Sequence, residues 1–282
     1  MNAIKKAVRA ARDKAVLALD PPRFKQQRLK QGAAATVSEK VDFDAYGRPH
    51  FAYGVHRAAE QAKALGIDAI SAIEFGCAGG NGLLALEQIA ADVGKEVGVR
   101  VDVYGFDIGE GLPRPLDYRD LPYAWKMEQF KMDVPKLRAR LTTAQLVIGD
   151  VADTVPEFCK RDDVAPVGFV SFDLDFYTST MAAFRIFDAD SSKMLPRTYC
   201  FFDDTIGPDN ELHCEFVGEL LAINEFNANH DTQKIALIHG LAQKRFIPAI
   251  WNEAMYVMHA FAHPAYGTYI DTKVDMDLSL DS

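Results

Sequence analysis

Apolar and polar positions alternate along the chain in blocks, and the blocks change period. From Ala69 a short apolar run rich in Ile and Ala ends in Glu74 and is followed by glycines at Gly76, Gly79, Gly80 and Gly82, and then by a helical pattern through Leu83, Leu84, Leu86 and Ile89. This reads as strand, glycine turn and helix. Further strands are predicted at Val99–Phe106, Gln145–Ile148, Val167–Phe172 and Thr198–Phe202, with helical stretches between them, Ser179–Phe187 among them. Strands that alternate with helices predict a parallel sheet with helices on both faces. Lys234–Ile238 and Ala254–Ala260 are the last two strand candidates, and no clear helix joins them, so an antiparallel pair is expected there.

Outside this core, Ile4–Leu19 has helical periodicity and ends at Pro21-Pro22, residues 31–50 read as irregular, and Phe51–Leu65 reads as a helix closed by Gly66. Asp153 followed by Pro156 is a helix-start signal. Asn210–Asn229 reads as one long amphipathic helix through Leu212, Phe216, Leu220, Ile223 and Phe226. The expected organisation is a helical extension over 1–66, a main domain over 67–270 and a tail over 271–282. Residues 108–140, with Tyr118, Tyr123, Trp125 and Phe130, form an insertion suited to a lid or a substrate wall.

Each of the first five strands stops at an acid: Glu74, Asp107, Asp150, Asp173, and Asp203 with Asp204. In open parallel sheets ligands bind beyond the carboxyl ends of the strands, so these acids should gather on one rim. Gly80-Asn81-Gly82-Leu83-Leu84-Ala85 fits the dinucleotide fingerprint, but Glu74 would repel a pyrophosphate. A cofactor with a cationic amino-acid end suits Glu74 better, and S-adenosylmethionine is one. Asp107 can accept ribose hydroxyls of either cofactor, while Asp150 is read equally as an adenine contact, with Val151 against the ring, or as the start of a turn. Asp173-Leu174-Asp175 and Asp203-Asp204 bring hard oxygen ligands together, which suits Mg²⁺ or Ca²⁺ and not zinc.

These motifs, E-F-G-C-A-G-G-N, D-I-G-E-G-L-P, G-D-V-A-D-T-V-P, D-L-D-F-Y-T-S-T and F-F-D-D-T, occur in this order over residues 69–206. Together the set resembles the class I S-adenosylmethionine methyltransferases, and within them the metal-dependent macrocin (macrolide-sugar) O-methyltransferases. The resemblance implies a Rossmann-like, mostly parallel seven-stranded sheet whose last strand is antiparallel. It implies a donor site of Glu74, Gly76, Gly80, Asn81, Asp107, Ile108, Asp150 and Val151, and a Mg²⁺ site of Asp173, Asp203 and Asp204. Asp175 and Tyr177 match the motif as buttresses. Asn81 departs from the pattern, standing where the family often has its second glycine.

The implied reaction is methyl transfer to a hydroxyl of a small molecule of sugar or natural-product type. Asp173, Asp204 and His239 are the catalytic candidates, with His213 and His259 as further candidates for the base. Two other readings of the residues stand beside this one: a D-x-D glycosyltransferase and a non-catalytic binding module. The net charge of −9 argues against nucleic acid as partner. It is uneven, with nine bases against two acids in residues 1–30, which are +7 and leave −16 for the rest. That basic helix is read as packing on the body or on a second subunit of a homo-oligomer. Four dispersed cysteines, no signal core and no membrane-length apolar run lead to the expectation of a cytoplasmic protein without a membrane span.

Overall fold

The computed structural model describes residues 19–271. The tail beyond 271 and, but for Leu19, the basic helix expected over Ile4–Leu19 lie outside the described residues. Seven strands form one sheet: β1 (Ala69–Phe75), β2 (Arg100–Asp107), β3 (Gln145–Ile148), β4 (Val167–Phe172), β5 (Met194–Phe202), β6 (Gln233–Leu237) and β7 (Met255–Ala260), in the order β3-β2-β1-β4-β5-β7-β6. The pairings among β1 to β5 are parallel, and β7 runs antiparallel to both β5 and β6. The order reverses between β1 and β4, the place where such sheets open a crevice.

Helices cover both faces. One face carries α1 (Pro21–Lys30), α2 (Val37–Asp42), α3 (Pro49–Ala64) and α4 (Asn81–Val97), of which the last three bury Val41, Phe51, Val55, Leu83, Leu86 and Val93 in one core with Ile70, Ala72 and Phe169 of the sheet. On the other, α6 (Val151–Cys159), α7 (Tyr177–Ala183) and α8 (Gly218–Asn229) pack on Ile73, Phe75, Tyr104, Phe172 and Phe202, while α5 (Val134–Arg138), before β3, buries Leu137 in the first core. A short α9 (Leu241–Lys244) follows β6.

One row of this second core fixes the rim above it. Phe106, Phe75, Phe172 and Phe202 are mutual register partners across β2, β1, β4 and β5. Phe75 stacks on Phe172 at 5.5 Å, and Phe172 on Phe202 at 4.7 Å and 7°. All four rings are fully buried. Pinning this row also aligns the residues that follow it, which are Asp107, Gly76, Asp173 and Asp203.

Three local expectations differ from the structure. Asn210–Asn229 is helical only from Gly218, because Leu212 and Gly218 have φ of 52° and 56° and Leu212 and Phe216 stand exposed. The cap of α6 is Asp150, which accepts from the Ala152 N–H at 2.8 Å, and not Asp153; Pro156 lies inside the helix. Residues 31–50 include α2, whose first amides at Val37 and Ser38 donate to the Glu96 carboxylate at 2.5 and 2.9 Å. In addition, Pro21 and Pro22 open a helix, at its first turn, where a missing N–H costs nothing.

The N-terminal helices are tied to the C-terminal part by a buried network. Asp44 accepts from Arg245 Nη2 at 2.7 Å and from Trp251 Nε1 at 3.2 Å. Among the described residues no helix is long and apolar enough to cross a membrane.

Gly54 of α3 has no room for a side chain, since a Cβ would lie 2.3 Å from the buried Phe169 ring. Alanine ordinarily favours a helix interior over glycine by about 1 kcal/mol. Here overpacking should reverse the sign, and Gly54→Ala is expected to destabilise by about 1–3 kcal/mol in urea unfolding. A stabilised variant would contradict this packing.

Candidate functional site

The carboxyl ends of β1, β2, β4 and β5 open into a cavity of about 340 Å³. Its size is within the range that holds a cofactor or a drug-sized ligand. Of the residues expected at the site, Gly76, Asp107, Ile108, Asp150, Val151, Asp173, Asp203 and Asp204 line it.

Glu74 lies behind the wall. It is the penultimate residue of β1, and alternation points it toward α3 and α4, away from the phenylalanine row. A Cβ on Gly82 would stand 1.8 Å from Glu74 Oε1, so glycine there lets the first turn of α4 rest on the carboxylate. Glu74 is 3% exposed and its Oε2 has no hydrogen-bond partner among the described residues. Burial, with the Asp173 charge added, raises its pKa well above the ordinary carboxylate range.

Two other glycines are shaped by neighbours. Gly76 has φ 82°, and a Cβ there would fall 1.7 Å from the Asp173 carbonyl oxygen, where the exits of β1 and β4 cross. Gly80, in the left-handed conformation that caps α4, faces Leu137 of α5 at 2.3 Å from a built Cβ. Gly80 and Asn81 therefore open α4 and are not among the lining residues.

Asp107 is held by backbone amides. Its Oδ2 accepts from Ala78 N–H at 2.8 Å and its Oδ1 from Gly109 N–H at 2.6 Å. A carboxylate has about four acceptor positions, so capacity remains for a ligand's hydroxyls. Asp150 spends one oxygen on the α6 cap and still lines the cavity. Both of the roles that its position in the sequence allowed are thus compatible with its place.

On the other side, Asp173, Asp203 and Asp204 each offer one oxygen within 4.8 Å of the other two. Asp175 and Glu219 extend the cluster inward. Asp204 Oδ2 accepts the Asp175 N–H at 2.8 Å, and Glu219 Oε2 accepts the Asp204 N–H at 3.1 Å. Glu219 is fully buried and its Oε1 lacks a partner among the described residues. Burial raises the pKa of Asp173, Asp204 and Glu219 well above normal, and their mutual charges add to it. Asp175 is pushed up to about 8, by burial and then by Asp173. Arg48, at the start of α3, is a cation whose field opposes this rise for Glu74, Asp173 and Asp203.

Sequence reasoning missed Glu219 and Arg48. Glu219 sits in the first turn of a helix expected to start eight residues earlier, and Arg48 comes from a segment read as irregular. The insertion was legible as a wall: Trp125 and Phe130 line the cavity, while Tyr118 and Tyr123 are exposed.

The histidine expectations need correction. No histidine is among the lining residues. His239 is exposed in the turn after β6, at the far edge of the sheet. His259 pairs with Arg197 at the start of β5, on the opposite rim, and bonds Tyr266 at 2.8 Å. His213 is engaged with Glu211 at 2.8 Å.

No protein-family model and no curated protein matches the chain. Solved structures do. CalS11, a calicheamicin methyltransferase, superposes with a TM-score of 0.51 at 18% identity, over 86% of this chain and 92% of that one. The chain has the methyltransferase fold. The O-methyltransferase NovP follows at 0.48 and 14%, over 75% and 79% of the two chains. TomG, an O-methyltransferase of Streptomyces achromogenes solved with S-adenosylmethionine, gives 0.40 and 14%, over 81% and 91%. At these identities the likeness is one of fold, and in CalS11 it extends over nearly the whole enzyme.

The buried acids give this methyltransferase fold a pH signature. A carboxyl whose pKa is higher in the folded than in the unfolded state binds protons more tightly when folded, so stability falls as pH rises between the two values. For Asp175 that window runs from the ordinary 3.8 to about 8. In chelator, the melting temperature should fall by several degrees from pH 5 to pH 8, and Asp175→Asn should flatten the decline. Asparagine tolerates the left-handed φ of 60° at this position. A wild-type curve that is flat or rises over this range would contradict the electrostatics described.

Proposed function

We propose that this chain is an S-adenosylmethionine-dependent O-methyltransferase acting on a hydroxyl of a small molecule, of sugar or natural-product type, with a divalent cation at Asp173, Asp203 and Asp204. The observation that carries the reading is Glu74: a buried carboxylate with an unpartnered oxygen, set behind the cavity wall two residues before the lining Gly76. A buried carboxylate is favoured when a cation meets it. The ammonium of the donor's amino-acid end is such a cation. A nucleotide-sugar transferase built on the D-x-D of Asp173 and Asp175 would leave Glu74 unexplained.

The residues divide into two groups along the rim. Gly76 would face the amino-acid end of the donor, because only a glycine leaves the space open beside Asp173, and Glu74 would act on that end from behind the wall. Asp107 would take the ribose hydroxyls on lone pairs its backbone amides leave free, with Ile108 and Val151 against the base and Asp150 beside it. Gly80 and Asn81 contribute at one remove, by setting the first turn of α4.

Three aspartates within 4.8 Å of one another form an oxygen donor set that fits Mg²⁺, and their crowding is relieved by positive charge. When bound, such an ion supplies Lewis acidity that lowers the pKa of an acceptor hydroxyl. The chain's own part is to fix the acceptor oxygen in line with the methyl group and to receive the proton. A lining carboxylate would receive it, and of those outside the ligand trio, Asp107, Asp150 and Asp175, the one joined to the trio is Asp175, whose N–H donates to Asp204. CalS11 is named as a calicheamicin methyltransferase, which supports an acceptor of the natural-product type.

Calorimetric titration tests the donor. S-adenosylmethionine should bind, NAD should not, and Glu74→Gln should weaken binding about tenfold or more, since a hydrogen bond to a charged group is worth about 1.5–3 kcal/mol. Glutamine matches the neutral acid that burial favours at Glu74, so the substitution should not lower the melting temperature of the free protein. Tight NAD binding without S-adenosylmethionine binding would overturn the proposal.

A further inference from the structure

Two of the three aspartates that crowd the rim, Asp203 and Asp204, follow β5 in a single 3₁₀ turn, Asp203–Thr205, where Asp204 has φ −93° and ψ 26°. Amides at the start of such a turn have no partner within it. The Asp204 N–H finds one on another element. It donates to Glu219 Oε2 at 3.1 Å, across 15 positions of the chain. Glu219 lies in the first turn of α8. A carboxylate there ordinarily serves its own helix, through the dipole or by accepting an N-terminal amide. This one is fully buried and turned to Asp204, and its other oxygen, Oε1, has no partner among the described residues. A buried carboxylate is costly to keep, so the bond it does make carries weight.

The start of α8 is itself held in place. Gly218 has φ 56°, and a Cβ there would stand 3.0 Å from Cδ1 of Leu121, a buried residue of the insertion. The connection also continues beyond Asp204. Asp204 Oδ2 accepts the Asp175 N–H at 2.8 Å, and Asp175 stands at a φ of 60°, which a residue other than glycine keeps only where its surroundings fix it. Glu219, Asp204 and Asp175 thus form a series of two amide-to-carboxylate bonds that runs from α8 to the exits of β5 and β4.

We propose that Glu219 is a positioning residue of the rim: by accepting the Asp204 amide it fixes the turn from which the Asp204 carboxylate reaches the cation site and holds the Asp175 amide. The inference rests on the divalent-cation reading above. Glu219 is not among the lining residues, so it acts through Asp204 and not on a ligand. Groups that orient metal ligands in this way change metal affinity by about ten- to a hundredfold when they are removed.

The test compares side chains matched in charge. Glu219→Gln keeps an accepting oxygen and Glu219→Met, of similar length, has none of comparable strength, so a difference between these two neutral variants reports the hydrogen bond. Manganese(II) binding, read from the free-ion paramagnetic signal, should be about tenfold or more weaker in Glu219→Met than in Glu219→Gln. A glutamate that only supports the fold would change the melting temperature in chelator and leave the two affinities equal. Glu219→Asp keeps the charge but falls one methylene short of the amide. It should bind manganese about tenfold more weakly than the wild type, and it decides the matter where Glu219→Met does not fold. Equal affinity within either matched pair would overturn the proposal, while the cation reading survived. No saturable manganese binding in the wild type would overturn both.

Discussion

The structure depends on keeping buried carboxylates together at the end of a sheet. Glu74, Asp175, Asp204 and Glu219 are all nearly or fully buried, and Asp107 and Asp173 line the same cavity. Unpaired like charges at such depth are costly, and the acids respond by holding protons or by accepting backbone amides. The amides of Ala78, Gly109, Asp175 and Asp204 all point at side-chain oxygens of this group. What they leave unsatisfied, Glu74 Oε2 and Glu219 Oε1 above all, marks where positive charge is wanted.

The rest of the fold serves that placement. An in-register row of phenylalanines sets the heights at which four strands end, so the residues after them share one level. Gly76 and Gly82 remove the side chains that would otherwise occupy the space of Asp173 and Glu74. The insertion between β2 and α5 is fastened at Gly109 and Leu112 near its base and at Thr178 near its far end. Thr178 belongs to the same D-L-D-F-Y-T-S-T stretch as Asp173, so the wall formed by the insertion and the acid cluster are mechanically joined.

Much of this was legible in the sequence, and the reason is local chemistry. Strand, glycine turn and helix are encoded in period and composition over about twenty residues, and the acid that closes each strand is adjacent to it in the chain. Six of the seven strands agree with their expected bounds to within one residue at each end, and β5 begins four earlier than Thr198. What failed was settled by distant partners. The start of α2 is capped by Glu96, from 59 residues away. The segment before α8 is held open by left-handed residues at Leu212 and Gly218, which periodicity does not register. His239, one of three histidine candidates for the base, follows β6 at the sheet edge, away from the row of acids.

The central claim is that the acid rim is completed by one divalent cation held by Asp173, Asp203 and Asp204. Manganese(II) titration, followed by loss of the free-ion electron paramagnetic signal, measures this without any substrate. The account predicts one saturable site per chain in the wild type and its loss in Asp173→Asn and Asp204→Asn variants that still fold. No saturable binding in the wild type, or equal binding in both variants, would contradict it.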